Sequence, residues 1–312
     1  MATIHQLKAE RKTLHGHFSR DLAPVLTIAS GDTVVCDTLD AGWGLEPYVG
    51  GAYQPRREFE GRDPELDGGH AMTGPIAIEG AKAGQTLAIE IRELTVGAWG
   101  FCLAGGWKSD HNDLLKVTNE GIVHAWELDA KRNIGRNHLG YSVTLKPFLG
   151  VLGMPPAEPG IHSTTPPRAT GGNLDCKDLV VGSTLYLPIA VDGGLLSVGD
   201  GHAAQGHGEI SGTAIECPME RVELKISVVD NMPISAPIAK TPDAWITMAF
   251  DTDLTVATYA AMEAMFDFIQ EQYGVSRLDA IALASVTVDM HVTQAVNRVR
   301  GAHASLPHGA IR

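Results

Sequence analysis

The chain has 312 residues, of which 44% are hydrophobic, and it carries a formal net charge of −13 at neutral pH. This length allows a substantial core in one large domain or two moderate ones. Lysine and arginine are too few and too scattered to suggest nucleic acid or an anionic membrane surface as a partner. We therefore expect a soluble globular protein that binds neither.

The beginning of the chain, residues 1–12, is polar, and no segment approaches the roughly 20 apolar residues of a membrane-spanning helix. Cytoplasmic residence is the expectation that follows. The cysteines are far apart and form no C-x-x-C pair, which favours buried, reduced thiols over disulfides. They are Cys36, Cys102, Cys176 and Cys217.

Short β-branched runs recur among 35 glycines and 17 prolines. Short strands broken by turn residues are typical of a sandwich, jelly roll or barrel. The predicted strands are Val25 to Ile28, Thr33 to Cys36, Pro75 to Ile78, Leu87 to Ile91, Ser142 to Leu145, Thr184 to Leu187, Val222 to Val229 and Val286 to Val292.

Helical patterns are confined to the C-terminal part. Apolar residues at spacings of three and four predict a helix from Asp253, which can cap it, to Tyr273, with Gly274 as the stop. A shorter helix is predicted from Ser276 to about Ala284. Since no repeat of fixed period is visible, we expect a single compact domain over 1–312, with scope for sub-lobes at 1–150 and 151–312.

The densest group of metal-ligand side chains lies between Ser197 and Glu209, in the sequence S-V-G-D-G-H-A-A-Q-G-H-G-E. On an extended backbone Asp200 and His202 point to one face, as do His207 and Glu209. These side chains are either loop and turn residues or ligands, and their density favours a site for zinc or a similar divalent ion.

Two further groups carry candidate residues. In G-G-N-L-D-C-K-D, Asp175 and Asp178 can complete a metal site, although acids beside glycine are also ordinary turn and cap residues. In G-G-H-A-M-T-G-P-I-A-I-E-G, which contains His70, Glu79 is either a general base or a solvated strand end. The stretch from Met154 to Gly172, rich in proline and glycine, is predicted to be an active-site loop rather than a linker.

Other catalytic templates fit less well. The chain has no G-x-S-x-G, G-x-x-x-x-G-K-[ST] or H-E-x-x-H motif and no strand-linked G-x-G-x-x-G motif. Cys176 beside Lys177, with Glu79 as base, gives a competing thiol mechanism.

The clusters together resemble the acetamidase/formamidase family of amide hydrolases. The matching segments run in order from residue 31 to residue 297: G-D-T-V-V-C-D-T-L-D, T-G-P-I-A-I-E-G-A-K-A-G-Q-T-L-A-I-E-I, G-G-N-L-D-C-K-D-L, S-V-G-D-G-H-A-A-Q-G-H-G-E with the trailing T-A-I-E, and V-T-Q-A-V-N. Two positions depart from the family's motif, which has aspartate where this chain has His207 and H-P where it has His70-Ala71.

The resemblance implies a mainly β protein, a jelly-roll-like β-sandwich with added α-helices, and metal-dependent hydrolysis of a small linear amide to carboxylate and ammonia. By position, it implies metal ligands among Asp200, His202, Asp175 and Asp178, and we expect His207, which replaces the acid of the family motif, to be a ligand as well. Substrate contacts are expected from His70, Gln205 and Gly201. We also expect a homodimer.

The hypothesis for the mechanism is that a divalent ion, zinc or else calcium, polarises the amide carbonyl and activates water, while Glu79 or Glu209 transfers the proton to the leaving nitrogen. Two alternatives stay open. One is the Cys176 thiol amidase, and the other is a non-catalytic jelly-roll module that binds a small ligand with a structural calcium ion.

Overall fold

The computed structural model describes residues 2–312, which form nineteen strands and three helices. The predicted mainly β chain with added helices is confirmed, while the jelly-roll arrangement stays a prediction. The strands are β1 (Ile4–Leu7), β2 (Leu14–His15), β3 (Leu26–Ile28), β4 (Thr33–Thr38), β5 (Met72–Ile78), β6 (Thr86–Val96), β7 (Trp99–Gly105), β8 (Gly121–Asp129), β9 (Ile134–Asn137), β10 (Ser142–Thr144), β11 (Phe148–Gly153), β12 (Gly171–Asn173), β13 (Thr184–Pro188), β14 (Leu196–His202), β15 (Met219–Val229), β16 (Ile238–Lys240), β17 (Ala244–Asp251), β18 (Asp289–Gln294) and β19 (Arg300–Pro307). The helices are α1 (Asp110–Leu115), α2 (Leu254–Tyr273) and α3 (Arg277–Thr287).

The largest sheet has nine strands in the order β1-β4-β15-β6-β13-β16-β17-β19-β18. Its central strands alternate between residues 1–150 and residues 151–312, because β15 lies between β4 and β6 and β6 lies between β15 and β13. Strands from both parts of the sequence therefore share one hydrogen-bonded sheet. The assignment of a single domain stays a prediction.

A second sheet carries the candidate site. Its strand order is β12-β11-β14-β5-β2, with β3 paired to β5. Strands β5 and β14 are antiparallel, and every residue in both is buried. Since both faces of these strands are covered, any polar side chain they carry lies inside the protein. A third sheet, β10-β9-β8-β7, completes the set.

The main core lies between the first two sheets. In β6 the side chains of Leu87, Ile89 and Ile91 are buried, with the alternation of a strand that has one face in a core. The same cluster contains Leu149 of β11 and Leu196 of β14. The apolar contact between the two sheets thus fixes the strands that present the site.

The two predicted C-terminal helices are confirmed. The Asp253 side chain accepts a hydrogen bond from the Thr255 backbone N–H at 2.7 Å, and Gly274 ends α2 in the left-handed region with φ 66°. Helix α3 ends at Thr287, where the N–H of Val288 still bonds to the Ala284 carbonyl. The predicted strand over Val286 to Val292 is therefore wrong at its start, and β18 begins at Asp289.

The other predicted strands coincide with β3, β4, β5, β6, β10, β13 and β15, of which β4, β5, β6 and β15 are longer than predicted by two residues or more. The cysteines are unpaired, and three of the four are buried, in agreement with the prediction of reduced thiols. Within residues 2–312, no helix combines the length and the apolar character needed to cross a bilayer.

Candidate functional site

Four buried acids and one buried histidine converge at the end of β14. The ligand atoms of Asp175, Asp200 and His202 lie within 4.8 Å of one another, and the same holds for His202, Glu209 and Glu216. All five residues are at most 5% exposed. We call these five residues the carboxylate cluster. So many ionisable groups inside a protein require a compensating charge or proton.

The cluster contains polar atoms with no hydrogen-bond partner. The His202 Nε2 atom lies 3.0 Å from Glu216 Oε2 and 3.3 Å from Asp200 Oδ1, but neither contact has hydrogen-bond geometry. The buried atoms without a partner are Asp175 Oδ1, Asp200 Oδ1, both ring nitrogens of His202, Glu209 Oε2 and Glu216 Oε2. Because buried polar atoms are normally paired, this set fits the ligands of a cation.

The electrostatics of the cluster lead to the same conclusion. Burial raises the pKa of Asp175 to about 8 and that of Glu216 to about 7, against the attraction of His202 and with the help of Asp200. Burial and Asp175 raise the pKa of Glu209 well above its ordinary value. Without added positive charge, these carboxyl groups retain protons that a divalent cation would displace.

Asp200 and His202 form the charged centre of the cluster. Burial opposes ionisation of Asp200, but His202 and His70 outweigh it and hold the pKa of Asp200 below its usual range. Burial likewise opposes the charge on His202, while Glu216 and Asp200 raise its pKa well above the ordinary value. Without a metal ion, the proton on His202 supplies the positive charge that balances these acids. A bound metal ion would supply that charge instead.

Three residues of the cluster have strained backbones. Asp175, Asp200 and Glu209 lie in the left-handed region, with φ of 48°, 56° and 49°. L-residues adopt this conformation rarely, and the strain persists only where the surroundings enforce it, often at functional sites. One such constraint is the Gln205 side chain, whose Nε2 donates to the Asp175 carbonyl at 2.9 Å.

Three residues of the site were missed from the sequence. Glu216 is the acid of T-A-I-E and stands in the buried run from Ala214 to Cys217, where a charged residue is itself a signal. Asn297 donates from Nδ2 to Asp175 Oδ2 at 2.6 Å. Gly150 of β11 faces the cluster so closely that a Cβ there would lie 2.3 Å from Asp200 Oδ2.

A cavity of about 320 Å³ opens onto the cluster. Its lining includes Trp43, His70, Asn173, Asp200, Glu209, Glu216 and Asn297. The loop between β11 and β12, predicted as an active-site loop, contributes Thr165 to this lining and places Thr164 Oγ1 at 2.8 Å from His70 Nδ1. The volume suits a small ligand.

The other two expected substrate contacts lie elsewhere. Gln205 bonds to the Asp175 backbone, as described above. Gly201 faces neighbouring chain, since a Cβ there would lie 2.7 Å from both the Cys217 carbonyl and Met219 Cγ. Gly201 thus permits close packing of β14, which corrects the expectation that it contacts substrate.

Glu79 does not lie at this site. Leu196 of β14 pairs with Ile76, and Gly199 pairs with Met72, so His202 lies beyond the start of β5. Glu79 follows the other end of β5 and is exposed. The expectation that Glu79 is the general base is therefore corrected, and Glu79 is a solvated strand end.

Asp178 and His207 belong to a separate group. Asp178 Oδ2 lies 3.5 Å from His207 Nε2 and 3.6 Å from His303 Nε2. The ligand atoms of His207, His291 and His303 lie within 4.8 Å of one another. The structure thus divides the expected single metal site into two groups.

The thiol alternative has no structural support. Cys176 is fully buried, and burial raises the pKa of its thiol to about 12. A buried thiol that stays protonated is a poor nucleophile.

The comparisons identify the family. The model of the Acetamidase/Formamidase family matches residues 2–163 and 159–308, and the chain belongs to this family. It is similar to the formamidase of Methylophilus methylotrophus, with 27% identity over 271 residues that cover 68% of this chain and 64% of that protein. Matches to three curated relatives span 51% to 64% of the relatives' lengths.

Solved structures show the same fold over almost the whole chain. The acetamidase of Bacillus halodurans has 29% identity and a TM-score of 0.83, with 97% of each chain covered. The acetamidase of Yersinia enterocolitica has 27% identity and a TM-score of 0.84, with 100% of this chain and 94% of that chain covered.

Proposed function

We propose that this protein hydrolyses the C–N bond of a small linear amide, of the acetamide or formamide type, to a carboxylate and ammonia. We further propose that the reaction depends on a divalent metal ion, zinc, held by Asp175, Asp200, His202 and Glu216. The observation that carries the metal proposal is the convergence of buried, unpartnered ligand atoms beside a small cavity. Family membership, with relatives named formamidase and acetamidase, supports the reaction.

The donor set fits zinc because this ion accepts both imidazole nitrogen and carboxylate oxygen. Calcium prefers six to eight oxygen ligands, so a buried imidazole at the centre of the cluster favours zinc. When bound, such a cation polarises a carbonyl group and lowers the pKa of water.

Glu209 is the proposed proton carrier. It lines the cavity, it is buried, and burial together with Asp175 raises its pKa well above the ordinary range. A buried carboxyl group with a raised pKa is a stronger base than an ordinary carboxylate, so it can take a proton from the attacking water and return it to the leaving nitrogen. The nitrogen needs this proton because an amide anion is too basic to leave.

His70 and Asn173 are proposed to orient the substrate. Thr164 Oγ1 accepts from the His70 backbone N–H at 3.0 Å and lies 2.8 Å from His70 Nδ1, so it holds the ring at that side. In the tautomer that carries its proton on Nε2, the ring would donate from Nε2 to a substrate carbonyl oxygen. Asn173 Oδ1 is buried without a partner and can accept from the substrate N–H.

The first experiment measures ammonia release from a panel of amides of increasing chain length, before and after dialysis against a strong chelator. We expect activity on the shortest amides, its loss in metal-free protein and its recovery with added zinc. Elemental analysis of the purified protein identifies the ion. Full activity in protein shown to be metal-free would contradict the metal mechanism, and calcium without amide turnover would favour a binding module.

A matched pair of variants locates the site. Glu216→Gln keeps the side-chain shape but removes a ligand charge, and Glu220→Gln makes the same change at an exposed position nearby. We expect Glu216→Gln to lose bound metal and at least about 100-fold in turnover, and Glu220→Gln to match the wild type. Equal activity of the two variants would remove Glu216 from the proposed site.

A further inference from the structure

A second group of candidate ligands lies outside the carboxylate cluster. We call Asp178, His207, His291 and His303 the histidine cluster. The ring centroids are 4.6 Å apart for His207 and His291, 4.8 Å for His291 and His303, and 5.2 Å for His207 and His303. Three imidazoles in mutual contact beside a carboxylate, one ring buried and two partly buried, are an uncommon arrangement.

Two buried ring nitrogens of this cluster have no hydrogen-bond partner. His303 is fully buried, and its Nε2 has no hydrogen bond, nor does the buried Nδ1 of His207. His303 Nδ1 lies 2.7 Å from Thr293 Oγ1, which fixes the ring and leaves Nε2 directed at the cluster. A histidine oriented by a hydrogen bond at one nitrogen, with the other unpartnered, is the usual state of a metal ligand.

We propose that the histidine cluster is a second metal site, which binds a first-row transition ion such as zinc through three imidazoles and Asp178. Imidazole is a preferred ligand of these ions, and four protein ligands make a closed site of the structural kind.

The distances fit this proposal. Metal–nitrogen bonds of about 2.0–2.1 Å in a tetrahedron place neighbouring ligand atoms roughly 3.3 Å apart. Asp178 Oδ2 lies 3.5 Å from His207 Nε2 and 3.6 Å from His303 Nε2, which is too long for strong hydrogen bonds. The ammonium groups of Lys146 and Lys177 lie at the other oxygen, Oδ1, at 3.4 and 3.6 Å. The carboxylate therefore offers Oδ2 to an ion.

The cluster also joins the two loops that hold the carboxylate cluster. The segment after β12 contributes Asp175 to one group and Asp178 to the other, and the loop after β14 contributes Glu209 and His207 in the same way. The Gly208 N–H bonds to the Thr293 carbonyl at 3.0 Å, which fixes this loop against β18. An ion in the histidine cluster would therefore restrain the segments in which Asp175 and Glu209 are strained.

The test is a metal count on full-length protein that has been stripped with a chelator and then dialysed against zinc chloride. We expect the wild type to bind two equivalents of zinc. His207→Ala and His291→Ala should each lose the second equivalent and retain the first, which depends on Glu216. His5→Ala is the matched control, since the His5 side chain is 23% exposed and that of His207 27%, and it should bind as much zinc as the wild type.

Cobalt gives an independent readout, because its visible absorption reports ligand number and type. We expect the spectrum of the histidine cluster to persist in Glu216→Gln and to disappear in His291→Ala. His291 is only partly buried, so this variant tests the site even where a change at buried His303 prevents folding. The proposal is overturned if folded His207→Ala and His291→Ala bind as much zinc as the wild type. This outcome leaves the amidase proposal intact, since that proposal fails on Glu216→Gln instead.

Discussion

The Asn297 side chain donates a hydrogen bond from Nδ2 to Asp175 Oδ2 at 2.6 Å, although 122 positions separate the two residues in the chain. This bond occupies one oxygen of Asp175 and leaves the other, Oδ1, directed at the carboxylate cluster without a partner. Asn297 also lines the cavity, so it links the orientation of a proposed ligand to the place where substrate would lie.

Removal of this bond should weaken the site without unfolding the protein. We expect Asn297→Ala to lower metal affinity or turnover by about 10–100-fold, the usual effect of removing a hydrogen-bond partner of a ligand. Competition with a chelator measures the affinity, and ammonia release measures the turnover. Asn119→Ala changes an exposed asparagine and serves as control. If Asn297→Ala kept the metal affinity and turnover of the wild type, the hydrogen bond from Asn297 would not be needed to orient Asp175 as a ligand.

Gly150 offers a steric test of the same cluster. A Cβ at this position would lie 2.3 Å from Asp200 Oδ2, 2.8 Å from His202 Cε1 and 2.9 Å from Asp175 Oδ1, so Gly150→Ala should displace three proposed ligands. We expect loss of the metal and of activity in a folded protein. Gly206→Ala, in the loop after β14, meets no atom within 4 Å and should behave as the wild type. Metal content and circular dichroism of both variants decide the matter, and normal metal binding by Gly150→Ala would place the ion elsewhere.

The stability of the metal-free protein should fall as the pH rises. Burial raises the pKa of Asp175 to about 8 and that of Glu216 to about 7, so the folded state binds protons that the unfolded chain releases. The stability linked to these protons is complete below the ordinary pKa values and is lost as the pH rises through the raised ones. We expect the melting temperature to decrease from about pH 6.5 to about pH 8.5, and to decrease less with saturating zinc.

Histidines with a lowered pKa, such as His207 at about 4, make the folded state more stable as the pH rises. This effect is confined to pH values below the ordinary histidine pKa of 6.5. Calorimetry across the upper range therefore reports the groups with a raised pKa, which are the acids together with His202. Asp175→Asn should reduce the slope. A melting temperature that is constant or increases with pH in metal-free protein would contradict this assignment.

The buried thiol should be dispensable. Because burial raises the pKa of Cys176 to about 12, we expect Cys176→Ala to retain turnover within about threefold and to lose roughly 1–2 kcal/mol of folding stability. Cys36→Ala removes another buried thiol and controls for lost packing. If Cys176→Ala alone abolished ammonia release, with metal content unchanged, the thiol mechanism would have to be restored.

The sequence pattern predicted local features well. Short β-branched runs identified eight of the nineteen strands in residues 2–312. The capping role of Asp253 and the stop at Gly274 defined α2, because these signals depend on neighbouring residues. At α3 the β-branched Val286 suggested a strand, but the helix continues through it. Propensity is weak compared with packing, and this helix lies against β19.

The composition of the site was harder to predict. Asp175, Asp200, His202 and Glu209 came from dense motifs and lie together, whereas Glu79 came from a plausible motif and lies at the wrong end of β5. The difference is strand pairing, which sequence spacing does not reveal. For the same reason Gly150 and Asn297 were not predicted, since their importance arises only from contacts across the fold. His207 was predicted to share a site with Asp200 and His202, whereas the structure places it in the histidine cluster.

The cavity has a consequence for synthesis of the protein. Its lining runs from Ala41 to Asn297, and its strands pair early segments with late ones. A growing chain therefore has no complete set of walls until residue 297 has emerged from the ribosome. Until then the cluster lacks the Asn297 bond that occupies one oxygen of Asp175. We expect ion capture at this cluster to follow translation and to be governed by the metal supply that the finished polypeptide encounters.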